Sequence, residues 1–467
     1  MIVNHHSGSL TDAGQDKRSR EELHVRPDAF PQRDPAAERV RIARLPIHFF
    51  AVAVAFFAVA VVAAPWVVAD LIDYFYQPLV LALTHTITLG WITSAMMGVM
   101  FRYVPALTKR PLRFPRLGLV QLWLFVIGVM GMVVHFAIGR WVATWFAAAV
   151  VVVSVILFAL NMLPSLAPVV GRRNVAETGM LLAVLYLLAA AVLGLLLGLD
   201  KTFGFLRGSL LTNLAGHAHL AALGWVSLTI CAVSYRMVPA FLLPGVELPR
   251  AAMWQLYGLA FAVAGLGVAL MGGIGGVPAW SVAVTLALVA YVAVLGRLVR
   301  GRRMPIDWTM RHALAGVVYL VLAAGLGLSL IRINPGNPLG NGIAGAYGVL
   351  GLLGWVTNFI VGMSYQLFAG FIAGFRVTAG WPKVTIAELS LPRYRPFVFF
   401  SLNVGILALS SGLIVAQVGL ARLGAASIAI GGLVYVAVMG RTVSYAYRSS
   451  VPRGPSDPLR ILPSGSS

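Results

Sequence analysis

Of the 467 residues, 59% are Ala, Val, Ile, Leu, Met, Phe, Trp, Tyr or Cys, and only 11% are Asp, Glu, Lys or Arg. A soluble domain carries about a quarter charged residues to solvate its surface, so that class is excluded. The net charge of +20 is not gathered into a patch but split into short clusters between long apolar runs, which excludes a nucleic-acid-binding protein.

Residues 1–44 are polar, mixed in charge and rich in Pro, Arg and Asp, and predict a disordered cytoplasmic arm. The arm has no apolar segment beside its start that would serve as a cleaved signal, and His5 and His6 within it read as part of a solvated tail. The apolar runs that follow divide at about 20 residues per crossing into twelve spans. They fall near 46–69, 77–104, 117–138, 142–168, 178–199, 209–242, 252–272, 279–299, 312–331, 341–374, 396–417 and 422–446. The predicted fold class is therefore an all-α polytopic membrane protein, with a membrane domain over 45–447 and a second disordered cytoplasmic tail over 448–467.

Orientation follows from the cations. Connections after even-numbered spans carry Lys109, Arg110, Arg113 and Arg116, then Arg172 and Arg173, then Arg236 and Arg250, then Arg297, Arg300, Arg302 and Arg303, then Arg376, Lys383, Arg393 and Arg395. The flanks add Arg39, Arg41 and Arg44 at the start and Arg441, Arg448 and Arg453 at the end. Connections after odd-numbered spans hold only Arg140, Lys201, Arg207, Arg332 and Arg422. The positive-inside rule then places both termini in the cytoplasm. The lone Cys231 lies within an apolar run, so neither a disulfide framework nor a thiolate metal site is available.

Spans 2, 6 and 10 are copies of one another. Span 2 reads His85…Gly90-Trp91-Ile-Thr93 and then Arg102-Tyr-Val-Pro105; span 6 reads His219…Gly224-Trp225-Val-Ser227 and then Arg236-Met-Val-Pro239. Span 10 reads Val349…Gly354-Trp355-Val-Thr357 and then Gln366. The repeat-bearing spans (77–104, 209–242 and 341–374) are separated by four spans each time, so the chain comprises three parallel four-helix units. Gly-Trp alone is explained as a packing notch with a bulky neighbour, and Arg102 and Arg236 as interfacial anchors. A histidine five residues before the Gly in two copies is not explained by either.

Depth sorts the histidines. His48 and His312 fall at cytoplasmic helix starts, where snorkelling or capping accounts for them, and His135 lies near the outer end of span 3. His85, His217 and His219 lie within the outer half of their spans, where an imidazole is costly unless it is paired or ligates a metal. His217 and His219 are two residues apart, about 200° around a helix, and so face different sides.

At these residues the sequence resembles subunit I of the haem–copper oxidases, the cbb type in particular, and the related haem- and copper-containing NnrS family. The run His85…Gly90-Trp91 with Arg102 is similar to the helix-2 motif of those groups, and Asn213-Leu-Ala-Gly-His217-Ala-His219-Leu-Ala-Ala-Leu-Gly224-Trp225 to an "AHAHL…LGW" segment of cbb-like homologues. The resemblance implies a ring of three four-helix units in a bacterial inner membrane. It also implies electron transfer or nitric oxide and respiratory chemistry, with other respiratory-chain or electron-donor proteins as partners. It departs from the family at span 7, where Met253-Trp-Gln-Leu-Tyr257 has no histidine, and at span 10, where Tyr347 and Val349 stand at the repeat positions of His217 and His219. A complete binuclear centre for oxygen reduction is therefore not expected. What the resemblance leaves is one haem b with His85 and His219 as axial ligands and His217 as alternative ligand or second site, with copper as a further candidate metal. If the chain is an enzyme, it is an oxidoreductase of haem–copper oxidase type.

Asp70, Asp73, Glu177, Asp200, Glu247, Asp307 and Glu388 all fall at span ends or in loops, so no mid-membrane carboxylate relay is expected. Two other classes of function stay open on the sequence: a membrane transporter of a metal ion or small solute, and a non-catalytic scaffold of a respiratory complex. The Gly272-Gly-Ile-Gly-Gly276 segment would suit the first as a flexible element but reads equally as a loop between spans 7 and 8.

Overall fold

The computed structural model describes residues 35–167, 174–333 and 337–449. Over them the chain forms twelve helices long and apolar enough to cross a membrane: α1 (Ala36–Asp73), α2 (Pro78–Thr108), α3 (Leu117–Ala137), α4 (Trp141–Leu166), α5 (Val175–Phe203), α6 (Leu210–Leu242), α7 (Arg250–Gly272), α8 (Val277–Arg300), α9 (Trp308–Ser329), α10 (Pro338–Thr378), α11 (Pro392–Ile414) and α12 (Val418–Ser444). They correspond one to one with the spans read from hydropathy. Arg172 and Arg173, the arm up to residue 34 and the tail from residue 450 lie outside the described residues.

The N-terminal boundary differs from the expectation. Residues 36–44, read above as the end of the arm, are the first turns of α1. Both guanidinium nitrogens of Arg116 that face Glu38 bond its two carboxylate oxygens at 2.9 Å, tying this extension to the α2–α3 connection. Of the Gly272–Gly276 segment, Gly272 ends α7 and 273–276 form a loop before α8, with Gly273, Gly275 and Gly276 at φ +59°, +76° and +81°, a region that a side chain would strain.

The three units share one plan. In each, the first helix packs on the second (α1·α2, α5·α6, α9·α10), the third on the fourth (α3·α4, α7·α8, α11·α12), and the fourth on the first helix of the next unit (α4·α5, α8·α9, α12·α1). The last contact closes a ring. Its outer surface bears side chains such as Trp254 (74% exposed) and Phe261 (70% exposed) on α7, which only a lipid surroundings accommodates.

The repeated helices α2, α6 and α10 meet at the centre, and each changes form where the repeat motif lies. Thr86–Thr93, Leu220–Ser227 and Leu350–Thr357 are π-helical, eight residues in each copy. Such segments are rare and often mark functional positions. The wider turn displaces backbone carbonyls from their α-helical partners, and hydroxyls take them up: Ser227 donates to the Ala222 carbonyl and Thr357 to the Leu352 carbonyl, both at 2.9 Å.

The same hydroxyls join the units. Trp91 Nε1 donates to Thr357 Oγ1 (3.3 Å), Trp225 Nε1 to Thr93 Oγ1 (3.2 Å) and Trp355 Nε1 to Ser227 Oγ (3.2 Å). Each indole thus reaches the hydroxyl two residues past the neighbouring unit's Trp, and the three bonds form a closed cycle about the pseudo-threefold axis. The glycine before each Trp admits an aromatic ring of the preceding helix: a Cβ on Gly90, Gly224 or Gly354 would come within 3.0 Å of Phe56, Tyr186 or Tyr319 respectively.

Candidate functional site

On one side of the indole cycle, toward the end of the bundle that carries the α1–α2, α5–α6 and α9–α10 connections, lies a cavity of about 670 Å³. We call this the distal end. Trp225, Trp355, Thr93 and Ser227 form part of the cavity wall on the cycle's side. His85, His217, His219 and Tyr347 all line it, so the structure brings the three histidines singled out from the sequence into one chamber. The volume falls in the range of roughly 300–1,000 Å³ usual for small-molecule sites, and most of the lining is Leu, Val and Ala with few polar groups, as such sites have.

Each helix fixes its imidazole locally. His85 Nδ1 lies 2.8 Å from the Leu81 carbonyl, and His219 Nδ1 lies 2.7 Å from the Ala215 carbonyl. A carbonyl only accepts, so in both neutral rings Nδ1 carries the proton and Nε2 carries the lone pair. This is the arrangement metal-ligating histidines adopt, with the second nitrogen held by a backbone carbonyl. The Phe136 ring lies 4.7 Å from the His85 ring and holds its orientation.

The structure revises which side chains face one another. His219 Nε2 meets the Tyr347 hydroxyl of α10 at 3.2 Å. His217 turns the other way, as two residues' separation requires: it packs on Gly194 of α5 and lies within electrostatic range of His85. The Ala190 carbonyl is beside its ring, without a well-formed bond to Nδ1. The pairing follows the repeat. Tyr347 and His217 occupy the same position, seven residues before the Gly, while His219 and His85 lie five before it. Between the second and third units the residue seven before one unit's Gly meets the residue five before the Gly of the preceding unit, and between the first and second units the equivalent pair is His217 and His85. At the third interface, the corresponding residues are Leu83 and Val349, both apolar.

His312, placed by the sequence at a helix start where capping would explain it, is instead fully buried, its Nδ1 2.9 Å from Asn358 Oδ1 of α10. The reason is tertiary: Gly362 on α10 leaves room for the imidazole against that helix. His48 is half-buried beside the Tyr447 ring, and His135 Nδ1 bonds the Gly131 carbonyl of its own helix (2.7 Å). Arg102 and Arg236 are exposed, in keeping with an anchoring role.

No protein-family model matches the sequence, and no characterised protein matches it significantly. Among solved structures the chain is similar to a haem–copper terminal oxidase dimer determined by cryo-electron microscopy, with a TM-score of 0.58 and 13% identity, over 87% of this chain and 84% of that one. The fold is haem–copper oxidase-like. At that identity the likeness establishes architecture alone, and the site must be argued from its own residues.

Within the oxidase-like ring, α7 offers no ligand. Its Gln255 accepts from the Tyr235 hydroxyl (2.9 Å) and donates to the Ala287 carbonyl (3.3 Å), which makes it part of the packing between α6, α7 and α8. Among the described residues no three His, Cys, Asp or Glu side chains gather closely enough to hold a metal ion. A haem brings its equatorial nitrogens with it and asks the protein for one or two axial ligands.

Lys201 escaped the sequence reading as anything but a loop cation. It lines the cavity near the end of α5, with its Nζ 4.7 Å from the Tyr76 ring centroid and 4.5 Å from that of Trp141. Burial pushes the Tyr76 phenol up to about 12, so it stays neutral beside the cation.

Proposed function

We propose that the chain is a haem-binding protein of the bacterial inner membrane, with both termini cytoplasmic, akin to the cbb-type subunit I and NnrS-like branch of the oxidase superfamily. It serves electron transfer or nitric oxide handling alongside respiratory partners. The observation that carries the reading is His85: its Nδ1 proton is held by the Leu81 carbonyl, which leaves a lone pair on Nε2 in a ring that lines an apolar chamber large enough for a small-molecule ligand.

His85 is the first axial ligand in this reading, and His217 the second. His219 is the weaker candidate, because the Tyr347 hydroxyl already occupies its Nε2. Gly194 supports the His217 ring and Phe136 the His85 ring. The indole cycle closes off the far side of the chamber and keeps the three units in register. A haem held by two histidines supplies one-electron transfer, and one held by His85 alone keeps a position open to a small gas.

The test is optical. Wild-type protein purified after haem-supplemented expression is expected to show a Soret band, and His85→Ala to lose it while remaining monodisperse. Wild-type protein that takes up no haem under those conditions overturns the reading.

A further inference from the structure

The chamber is not uniform along its length. Among the described residues that line it, Lys201 is the one carrying a formal charge; no Asp or Glu faces it. The cation is half-buried, and among the described residues no carboxylate lies within 4.0 Å of its Nζ. Its sequence neighbour Asp200 is engaged elsewhere, accepting from the Leu206 backbone N–H at 2.6 Å. What holds Lys201 in place is aromatic: Tyr76 from the α1–α2 connection and Trp141 at the start of α4. Such contacts orient an ammonium, Asp200 offsets its charge only at electrostatic range, and a partly desolvated cation in an apolar chamber favours an anion as its partner.

The position of this charge is set by α5. Gly194, against which His217 packs, and Lys201 are seven residues apart. Seven residues make nearly two full turns, so both lie on the same face of the helix, about 10 Å apart along its axis. Between them the cavity wall is Leu197 and Gly198, and before them Ala190 and Ala191. The result is a low wall running from the imidazole out to the cation at the distal end. A ligand that fills the chamber must be apolar in its body and anionic at one end. The rise of α5 from Gly194 to Lys201, about 10 Å, is comparable to the reach from the centre of a porphyrin to the end of its carboxylate arm.

We infer that Lys201 is the recognition site for the carboxylate of an apolar, porphyrin-sized ligand whose body fills the chamber next to His85 and His217. The inference rests on the haem reading for the ligand's body, but it concerns the carboxylate, which can be tested without iron.

The full chain in detergent is titrated with iron-free protoporphyrin IX and with its dimethyl ester, both followed by fluorescence. Wild type is expected to bind the free acid at least tenfold more tightly than the ester. Lys201→Met, which keeps the apolar stem, is expected to bind both at the ester's affinity, and Lys201→Arg to restore the preference and so exclude a folding defect. Equal binding of acid and ester by wild type, or an undiminished preference in Lys201→Met, overturns the role of Lys201 while leaving the haem reading standing. Failure of wild type to bind either porphyrin overturns the role of Lys201, and the haem reading is then decided by the Soret band alone. If both bind as expected but His85→Ala still takes up haem normally, the haem-ligand reading alone fails.

Discussion

The Tyr347 hydroxyl donates to His219 Nε2 at 3.2 Å across the interface between the second and third units. The direction is fixed, because His219 Nδ1 spends its proton on the Ala215 carbonyl. Replacing Tyr347 by Phe keeps the ring and removes the donor. An interhelical hydrogen bond in a membrane protein is worth about 0.6 kcal/mol on average and up to about 1.7. Tyr347→Phe should therefore lower stability by that amount, read as a small downward shift in the thermal unfolding midpoint in detergent. A shift upward would mean that the bond is not formed.

The same bond separates the roles of two neighbouring histidines. With His219 engaged by Tyr347 and His217 the second ligand under the haem reading, His217→Ala should convert the spectrum of the haem-loaded protein to that of a single axial histidine. His219→Ala should leave it largely unchanged. The reverse pattern would restore the His85–His219 pairing suggested by the sequence.

The indole cycle makes a prediction about register. Thr93→Val preserves shape but strands the buried Trp225 N–H, and Thr357→Val does the same to Trp91. Each should cost about 1–3 kcal/mol, the usual penalty for a buried donor left unsatisfied. Because both bonds belong to one closed cycle, the double variant should depart from additivity. Strict additivity in thermal or denaturant unfolding would show that the three bonds act independently.

Gly224 is held to its identity by Tyr186. A methyl group there would collide with that ring, so Gly224→Ala should destabilise by about 1–3 kcal/mol through overpacking. Gly325, whose Cβ would meet nothing, should tolerate Ala with no loss. Comparing the two melting temperatures checks the point.

Arg376 is wholly buried, and among the described residues no carboxylate pairs with it. Its guanidinium donates instead to the carbonyls of Pro382, Tyr445, Arg448 and Ser449 at 2.7–3.1 Å. Arg376→Met should release the segment after α12, and limited proteolysis should then cut near residues 445–449 markedly faster than in wild type. Unchanged cleavage would show that other contacts hold that segment.

The sequence by itself determined the number of helices, their approximate limits and the three-unit plan. The reason is that lipid forces each crossing to be a long apolar helix, and the repeat Gly-Trp-x-Ser/Thr is written openly at Gly90, Gly224 and Gly354. It also singled out His85, His217 and His219, because an imidazole inside an apolar run stands out without any knowledge of its neighbours. Partnership was another matter. That Tyr347 would engage His219, that His217 would share a chamber with His85, and that Lys201 would bring a charge to it depend on how units far apart in sequence are rotated against one another. The π-helical turns that set this rotation have no signature of their own in the residue pattern. Nor could the sequence bury His312, since that required Gly362, 50 residues further on, to leave it room. Tertiary structure decided these contacts because side-chain pairing across helices is fixed by axial register and rotation, and hydropathy constrains neither.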